Sequence, residues 1–136
     1  MDYFDVKFSR GELGSMSSLA LAHVGDAVYE LMARTYLASV GVATAAHLHR
    51  ETIKMVAAPA QAAAAERMLG RFTEEEADVF RRGRNAKVHA VPSASTEGQY
   101  HEATALEALF GWLWLQGRKQ RLSELFAAAE EGYHAS

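Results

Sequence analysis

Residues 19–34 read LALAHVGDAVYELMAR, and this stretch decides the fold that we expect for the chain. At 100° per residue it predicts an amphipathic helix, whose apolar face carries Leu21, Val24, Val28, Leu31, Met32 and Thr35. The opposite face carries Asp26 among alanines. Gly25 inside a helix costs roughly 1 kcal/mol relative to alanine, so we expect another segment to approach closely at this point.

Asp26 has two possible interpretations at this level. In the first, Asp26 and Glu30 are simply solvated, and Glu30 forms an ordinary i,i+4 ion pair with Arg34, worth about 0.3 kcal/mol. In the second, Asp26 is a functional acid on a helix whose other side is buried. The helix alone does not decide between them.

The composition predicts one soluble domain. A chain of 136 residues can bury a single core, and we expect residues 17–136 to form it after a flexible lead-in, residues 1–16. Cysteine is absent, which excludes disulfides and thiolate metal sites and agrees with a cytoplasmic location. No apolar stretch approaches the ~20 residues of a membrane span.

The remaining patterns predict an all-α helical bundle. Ser17 or Ser18 can cap the first long helix, and Thr73 with Glu76 forms a capping box before another. Gly41, Gly70 and the prolines mark the breaks between helices. The expected helices cover residues 18–39, 44–56, 59–69, 74–85, 100–116 and 119–131.

The helix over residues 100–116 is apolar almost all round and should be the central one. Between Ala103 and Gln116 its only charged residue is Glu107. Buried carboxylates are rare unless they are paired or bind a metal, so Glu107 is either a salt-bridge partner of a buried arginine or a metal ligand. Together Asp26 and Glu107 would suit one hard divalent cation, which prefers carboxylate oxygens.

The charge distribution is uneven. The net charge of −3 argues against a nucleic-acid-binding protein, but Arg81, Arg82, Arg84 and Lys87 lie within seven residues. A helix dipole accounts for only part of this cluster, because its effect fades within the last turn. Residues 88–99 follow as a long polar loop, and loops of this length are usually functional or disordered.

Other site types are not supported. His47 and His49 point to different sides of a helix, and no further histidines cluster as zinc would require. The face of that helix formed by His47, Arg50, Glu51 and Lys54 is expected to be solvated. No glycine-rich phosphate loop, nucleophile elbow or HExxH pattern occurs.

Four motifs, in the same order along the chain, resemble a known family. VGDAVYE at residues 24–30 resembles the signature helix of ribonuclease III domains. LHR at 48–50, RRGRNAK at 81–87 and TALEAL at 104–109 are similar to the small bacterial Mini-ribonuclease III branch. The resemblance covers residues 17–117, which is most of the chain.

The resemblance implies a ribonuclease III-type endonuclease domain that works as a homodimer. Asp26 and Glu107 would be catalytic and would hold magnesium (Mg2+), with manganese (Mn2+) as a possible substitute. The reaction would be hydrolysis of phosphodiester bonds in double-stranded RNA, leaving 5′-phosphates, each subunit cutting one strand. The Mini branch is associated with maturation of the precursor of large-subunit (23S) ribosomal RNA.

The chain departs from most ribonuclease III domains at two positions, where Ala22 and Thr104 replace carboxylates, as in the Mini branch. Fewer carboxylates put a tightly held second metal in doubt, and Thr104 would contact the metal through water. No separate double-stranded-RNA-binding domain is expected. The residues expected to contact RNA are Arg50, Arg81, Arg82, Arg84, Asn85 and Lys87, and those expected at the dimer interface are His23, Gly25 and Ala27.

Two alternatives remain open from the sequence. The chain could be a catalytically idle domain of the same fold that binds structured RNA or a ribosomal particle, if Ala22 and Thr104 reflect decay. A weaker alternative is an all-α nucleotide hydrolase with Glu74, Glu75 and Asp78 around a metal. Acids in a first helical turn are normally exposed and placed by the helix dipole, which argues against it.

Overall fold

The structure, a computed structural model, describes residues 1–87 and 96–134. These residues form a bundle of α-helices without strands, as predicted. The helices are α1 (Arg10–Gly14), α2 (Ser18–Ser39), α3 (Ala45–Val56), α4 (Ala58–Met68), α5 (Glu74–Arg84), α6 (Glu97–Leu115) and α7 (Lys119–Gly132), with a 3-10 turn at Leu69–Arg71. None of the helices in this part of the chain is long and apolar enough to cross a membrane.

Helix starts follow the predicted caps at α2 and α5, and α3 has a cap that was not predicted as one. The side chain of Ser17 accepts a hydrogen bond from the amide of Ala20 and begins α2. Thr44 does the same for α3. At α5, Thr73 and Glu76 form the reciprocal capping box, which satisfies two backbone donors at the positive end of the helix.

Helix α6 is the centre of the bundle, as predicted, and contacts α2, α4, α5 and α7. Its crossing with α2 is very close. A Cβ atom built on Gly25 would lie 1.6 Å from the Glu107 carbonyl oxygen, and one on Gly111 would lie 2.0 Å from the Leu21 carbonyl oxygen. The close approach inferred from Gly25 is therefore made by α6 of the same chain.

The buried face of α2 differs from the predicted one. Leu21 and Val28 are buried as expected, but so is Ala33, one of the alanines on the face that carries Asp26, while Leu31 of the predicted apolar face is 49% exposed. Because α6 crosses α2 at Gly25, the small residues of α2 lie inside. Hydrophobicity alone placed the face incorrectly.

The lead-in is not irregular as predicted. Ser9 and Glu12 form a capping box that begins α1, and Leu13 is buried in the core. The backbone N–H of Phe8 donates to the Leu115 carbonyl oxygen at 2.7 Å, which attaches the segment to the end of α6. Residues 8–16 therefore belong to the domain, and the expectation of a flexible segment is corrected for them.

The polar face of α3 was also predicted incorrectly at one residue. Glu51 is buried, accepts a hydrogen bond from the Tyr133 hydroxyl at 2.6 Å and pairs with Lys54 at 2.8 Å. The end of α7 covers this part of α3, which the local pattern does not reveal.

Of the predicted 88–99 loop, residues 97–99 belong to α6 with Thr96 as its N-cap, and residues 88–95 lie outside the described part of the chain.

Candidate active site

The α2–α6 crossing brings Asp26 and Glu107 together. Asp26 follows Gly25, whose backbone lies against the backbone of Glu107. Asp26 is exposed and Glu107 is half-buried, and their carboxyl groups are in hydrogen-bonding contact. The two acids therefore form a pair that is open to solvent on the Asp26 side.

The electrostatics of this pair are unusual. Burial and the neighbouring Asp26 carboxylate raise the pKa of Glu107 to about 8, and a hydrogen bond from Gln61 opposes this rise. Among residues 1–87 and 96–134, no lysine or arginine forms an ion pair with either acid. The salt-bridge interpretation of Glu107 is therefore wrong for the described residues.

The sequence reasoning missed Gln61. It lies on α4, is only 2% exposed, and hydrogen-bonds to Glu107. The available signal was its position, because it is the one hydrogen-bonding side chain in the alanine-rich run over residues 57–65. A buried amide in such a run needs a partner, and here that partner is Glu107.

The residues at this site fit a hard divalent cation. Two carboxylates in contact repel each other when ionised, and a cation between them removes the repulsion. Magnesium commonly takes one or two protein carboxylates together with water and substrate phosphate. No group of three or more histidines and acids that could hold a metal is found among the described residues, so the protein ligands would be these two carboxylates.

Thr104 lies one turn before Glu107 on α6 and is buried. Its hydroxyl donates to the Tyr100 carbonyl oxygen at 3.0 Å. The hydroxyl oxygen can therefore only accept a further hydrogen bond, which is what a water molecule beside the acid pair would offer. The indirect role assigned to Thr104 stays a prediction.

The six residues expected to contact RNA differ in their surroundings. Arg81 and Arg82 both form ion pairs with Asp78 on α5, the second at 2.8 Å. Asn85 is the C-cap of α5, and its backbone N–H donates to two carbonyl oxygens of the last turn. These three residues therefore have structural roles, whether or not they also contact RNA.

Arg50, Arg84 and Lys87 are exposed, and none of them forms an ion pair within residues 1–87 and 96–134. A Cβ atom built on Gly83 would lie 2.9 Å from the Ala105 Cα, so the end of α5 lies against α6. The charge of Arg84 lowers the pKa of Glu102 on α6, although burial and Glu66 raise it overall. Arg84 therefore lies beside the helix that carries Glu107.

The three residues expected at a dimer interface are also separated by the structure. His23 and Ala27 are exposed on α2. Gly25 is buried against α6, so its small size serves packing inside the chain, and the prediction that it lies at a dimer interface is corrected. Leu31, further along α2, is exposed and extends the surface formed by His23 and Ala27.

The acids of the hydrolase alternative have other partners. Glu75 pairs with Arg10 at 2.6 Å, and Asp78 pairs with two arginines of its own helix. Carboxylates already neutralised by arginine are poor cation ligands. The structure gives no support to a metal site at the start of α5.

Comparison with known proteins identifies the family of this chain. A sequence model of the Ribonuclease III domain matches residues 19–118. The chain is 42% identical to the Mini-ribonuclease 3 of Symbiobacterium thermophilum, covering 86% of this chain and 90% of that protein. It is 44% identical to the Mini-ribonuclease 3 of Enterococcus faecalis, covering 81% of this chain and 85% of that protein.

A crystal structure of a Fusobacterium nucleatum protein has the same fold, with a TM-score of 0.78 and 29% identity over 87% of this chain and 94% of the other. The chain therefore belongs to the ribonuclease III family of endoribonucleases, in its Mini-ribonuclease 3 branch.

Proposed function

We propose that this protein is a magnesium-dependent endoribonuclease that cleaves both strands of double-stranded RNA as a homodimer. The observation that carries the proposal is the contact between Asp26 and Glu107, two carboxylates without a cationic partner in the described residues. The resemblance to the Mini-ribonuclease 3 branch supports a precursor of large-subunit ribosomal RNA as the natural substrate, and the cytoplasm as the location.

Asp26 and Glu107 would hold the cation, with Asp26 on the solvent side and Glu107 on the side of the core. A divalent cation bound there would polarise a phosphodiester and make water a stronger nucleophile. Gln61 holds the Glu107 carboxyl in place by its hydrogen bond. Thr104 can accept a hydrogen bond from water near the pair.

RNA binding on an acidic protein requires a local positive surface. Arg50, Arg84 and Lys87 are exposed cations without ion pairs in residues 1–87 and 96–134, so they remain able to bind phosphates. Arg81 and Arg82 can add to this surface only if they leave Asp78. In a dimer, two copies of this surface would act on one duplex.

The homodimer would form through the exposed side of α2, where His23, Ala27 and Leu31 lie. Ile53 on α3 adds a second exposed apolar side chain. Exposed apolar groups that belong to one surface often mark a contact between proteins. Sedimentation equilibrium at micromolar concentration should give a dimer, and Leu31→Glu should shift the equilibrium to monomer; a monomeric wild-type protein would contradict the two-strand mechanism.

The test of the activity uses long double-stranded RNA, single-stranded RNA and duplex DNA, each with magnesium or with a chelator. The wild type should cleave only double-stranded RNA, and only with magnesium, leaving 5′-phosphates. Glu130→Gln, which removes an exposed acid of α7, should leave cleavage unchanged. Tight binding of several RNA duplexes without cleavage would instead support the idle RNA-binding domain.

The natural substrate needs a separate test. A transcript that contains the ends of the large-subunit ribosomal RNA precursor should be cut at a few defined positions, faster than an RNA duplex of arbitrary sequence. Equal rates on both substrates would contradict a dedicated role in ribosomal RNA maturation and leave the general activity intact.

A further inference from the structure

A small, partly open cavity lies between α2, α3, α4 and α7, lined by polar side chains together with Met55 and alanines. Its volume is about 70 Å³, and its wall includes Tyr29, Lys54, Arg67, Gly132 and Tyr133. Neither Asp26 nor Glu107 lines it, so it is distinct from the acid pair. The volume is large enough for several water molecules or one small polyatomic ion.

The Tyr29 side chain is completely buried. Its ring packs against Phe110 and Phe126 at centroid distances of 5.1 and 5.3 Å. Its hydroxyl oxygen has no hydrogen-bond partner among residues 1–87 and 96–134. Buried hydroxyls are nearly always hydrogen-bonded, so this one indicates a missing partner in the cavity that it lines.

Arg67 supplies a fixed positive charge at the same cavity. Its Nε donates to the Ala128 carbonyl oxygen at 2.8 Å, which holds the guanidinium in one orientation. A Cβ atom on Gly132 would lie 2.0 Å from Arg67 Nη2, so glycine at this position leaves room for the terminal nitrogens. No carboxylate in the described residues forms an ion pair with Arg67.

The polar groups of the wall are mainly donors. Burial raises the pKa of Tyr29, so its hydroxyl stays protonated at every physiological pH. The guanidinium of Arg67 has donors only. Lys54 is a donor too, and its charge is balanced by Glu51 at 2.8 Å, a residue that also accepts from the Tyr133 hydroxyl. A ligand that satisfies Tyr29 and Arg67 must therefore bring acceptors and negative charge.

We propose that this cavity binds a single phosphate group, with the Tyr29 hydroxyl and the terminal nitrogens of Arg67 as donors. The phosphate is either free inorganic phosphate or the terminal phosphate of a short RNA. Arginine pairs strongly with phosphate oxygens through charge-assisted hydrogen bonds. None of its residues belongs to the acid pair, although Glu107 lies near enough to Tyr29 for its charge to raise the Tyr29 pKa.

The test is a titration of the metal-free wild-type protein with inorganic phosphate at constant ionic strength. Binding is measured by calorimetry and by the shift in the thermal unfolding temperature. Saturable binding is expected. Tyr29→Phe, which removes only the hydroxyl, should weaken it about fivefold, and Arg67→Gln about tenfold or more. Arg71→Gln is the matched control, because Arg71 pairs with Glu131 at 3.1 Å and does not line the cavity.

A second arm distinguishes the two sources of phosphate. A 5′-phosphorylated RNA dinucleotide and its dephosphorylated form are titrated into the same proteins. Tighter binding of the phosphorylated form than of inorganic phosphate, lost in Arg67→Gln, would assign the site to RNA ends; weaker binding would assign it to free phosphate. Absence of saturable binding in both arms, or equal binding by wild type, Tyr29→Phe and Arg67→Gln, would overturn the proposal.

Discussion

Two glutamates in this bundle have opposite surroundings. Glu76 on α5 is completely buried and receives two hydrogen bonds from Arg121, at 2.8 Å from Nε and 2.7 Å from Nη2. Burial raises the pKa of Glu76, but the bonds from Arg121 and the Thr73 backbone lower it below its usual value overall. Glu107 on α6 has Asp26 and Gln61 beside it, and the pKa of Glu107 rises to about 8.

The difference separates a structural carboxylate, Glu76, from a candidate functional one, Glu107. Glu76 is neutralised within the protein, so it needs nothing from solution, and it ties α5 to α7. Glu107 is placed beside a second acid, which is unfavourable unless a proton or a cation is shared. Perturbed acids of this kind, open to solvent on one side, are characteristic of functional sites.

The largest effect is expected from neutralising the acid pair. Asp26→Asn and Glu107→Gln should each lower the rate of RNA cleavage by about a thousandfold or more, since each removes a charge that we propose holds the cation. The melting temperature near neutral pH should change little, because Glu107 already carries a proton there and each variant replaces a carboxyl group by an amide of the same shape. Cleavage rates and melting curves are measured on the same preparations. A loss of stability in either variant would show that the pair is structural.

Neutralising Glu76 is expected to lower the stability of the protein and to leave its cleavage rate unchanged. Glu76→Gln should lower the free energy of unfolding by about 3 kcal/mol, because it removes the buried charge that pairs with Arg121 and leaves Arg121 only its more exposed partner Glu124. Urea unfolding measures this change. The cleavage rate per folded molecule should stay unchanged. Glu75→Gln, which breaks the exposed pair with Arg10, should have the small effect typical of surface ion pairs, and an equal loss in both variants would contradict the comparison.

The two glutamates should also respond oppositely to pH in the metal-free protein. The folded protein keeps a proton on Glu107 that the unfolded chain releases, so this contribution to stability is lost as pH rises from about 4.5 to about 8. The contribution of Glu76 is present above pH 4.5 and is lost as pH falls below it, because its folded pKa is lowered. Urea midpoints across this range for wild type, Glu107→Gln and Glu76→Gln measure both changes. Identical profiles for the wild type and Glu107→Gln would contradict the raised pKa.

The smallest effects concern the salt dependence of RNA binding, in which the paired Arg82 can be compared with Arg84 and Lys87, which form no ion pair in the described residues. Arg84→Ala and Lys87→Ala should each reduce the slope of log affinity against log salt by about 1. Arg82→Ala should reduce it less, because Arg82 is already paired with Asp78. The titrations use Asp26→Asn as background, so that RNA is bound without being cut. Equal slopes for wild type, Arg84→Ala and Lys87→Ala would show that these cations do not contact phosphates.

Local sequence signals predicted most of the helices. The caps Ser17 and Thr73 satisfy backbone donors within three residues of themselves, so their effect is readable without knowing the fold. The apolar composition of residues 100–116 likewise marked α6 as central. The same reasoning failed for α1, because Gly11 and Gly14 are typical of an irregular segment although Ser9 and Glu12 form a capping box there.

The candidate site was predicted by residue type but not by arrangement. Asp26 stood out beside Gly25, and Glu107 stood out as one charge on an apolar helix. That their carboxyl groups touch, and that Gln61 reaches Glu107, depends on how α2 and α4 pack on α6. The burial of Glu51 depends in the same way on Tyr133, from the other end of the chain.

The sequence by itself determined the all-α class, the helix starts and the two acids, because caps, hydrophobic period and an isolated charge are local properties. The tertiary structure alone decided which charges are neutralised. The sequence left open that Asp78 is a metal ligand, and in the fold Asp78 is paired with two arginines. The sequence left open that Glu107 is a salt-bridge partner, and in the fold Glu107 lies beside Asp26. The physical reason is that pairing depends on the distances between side chains on different helices, and these are set by close packing at residues such as Gly25 and Gly111.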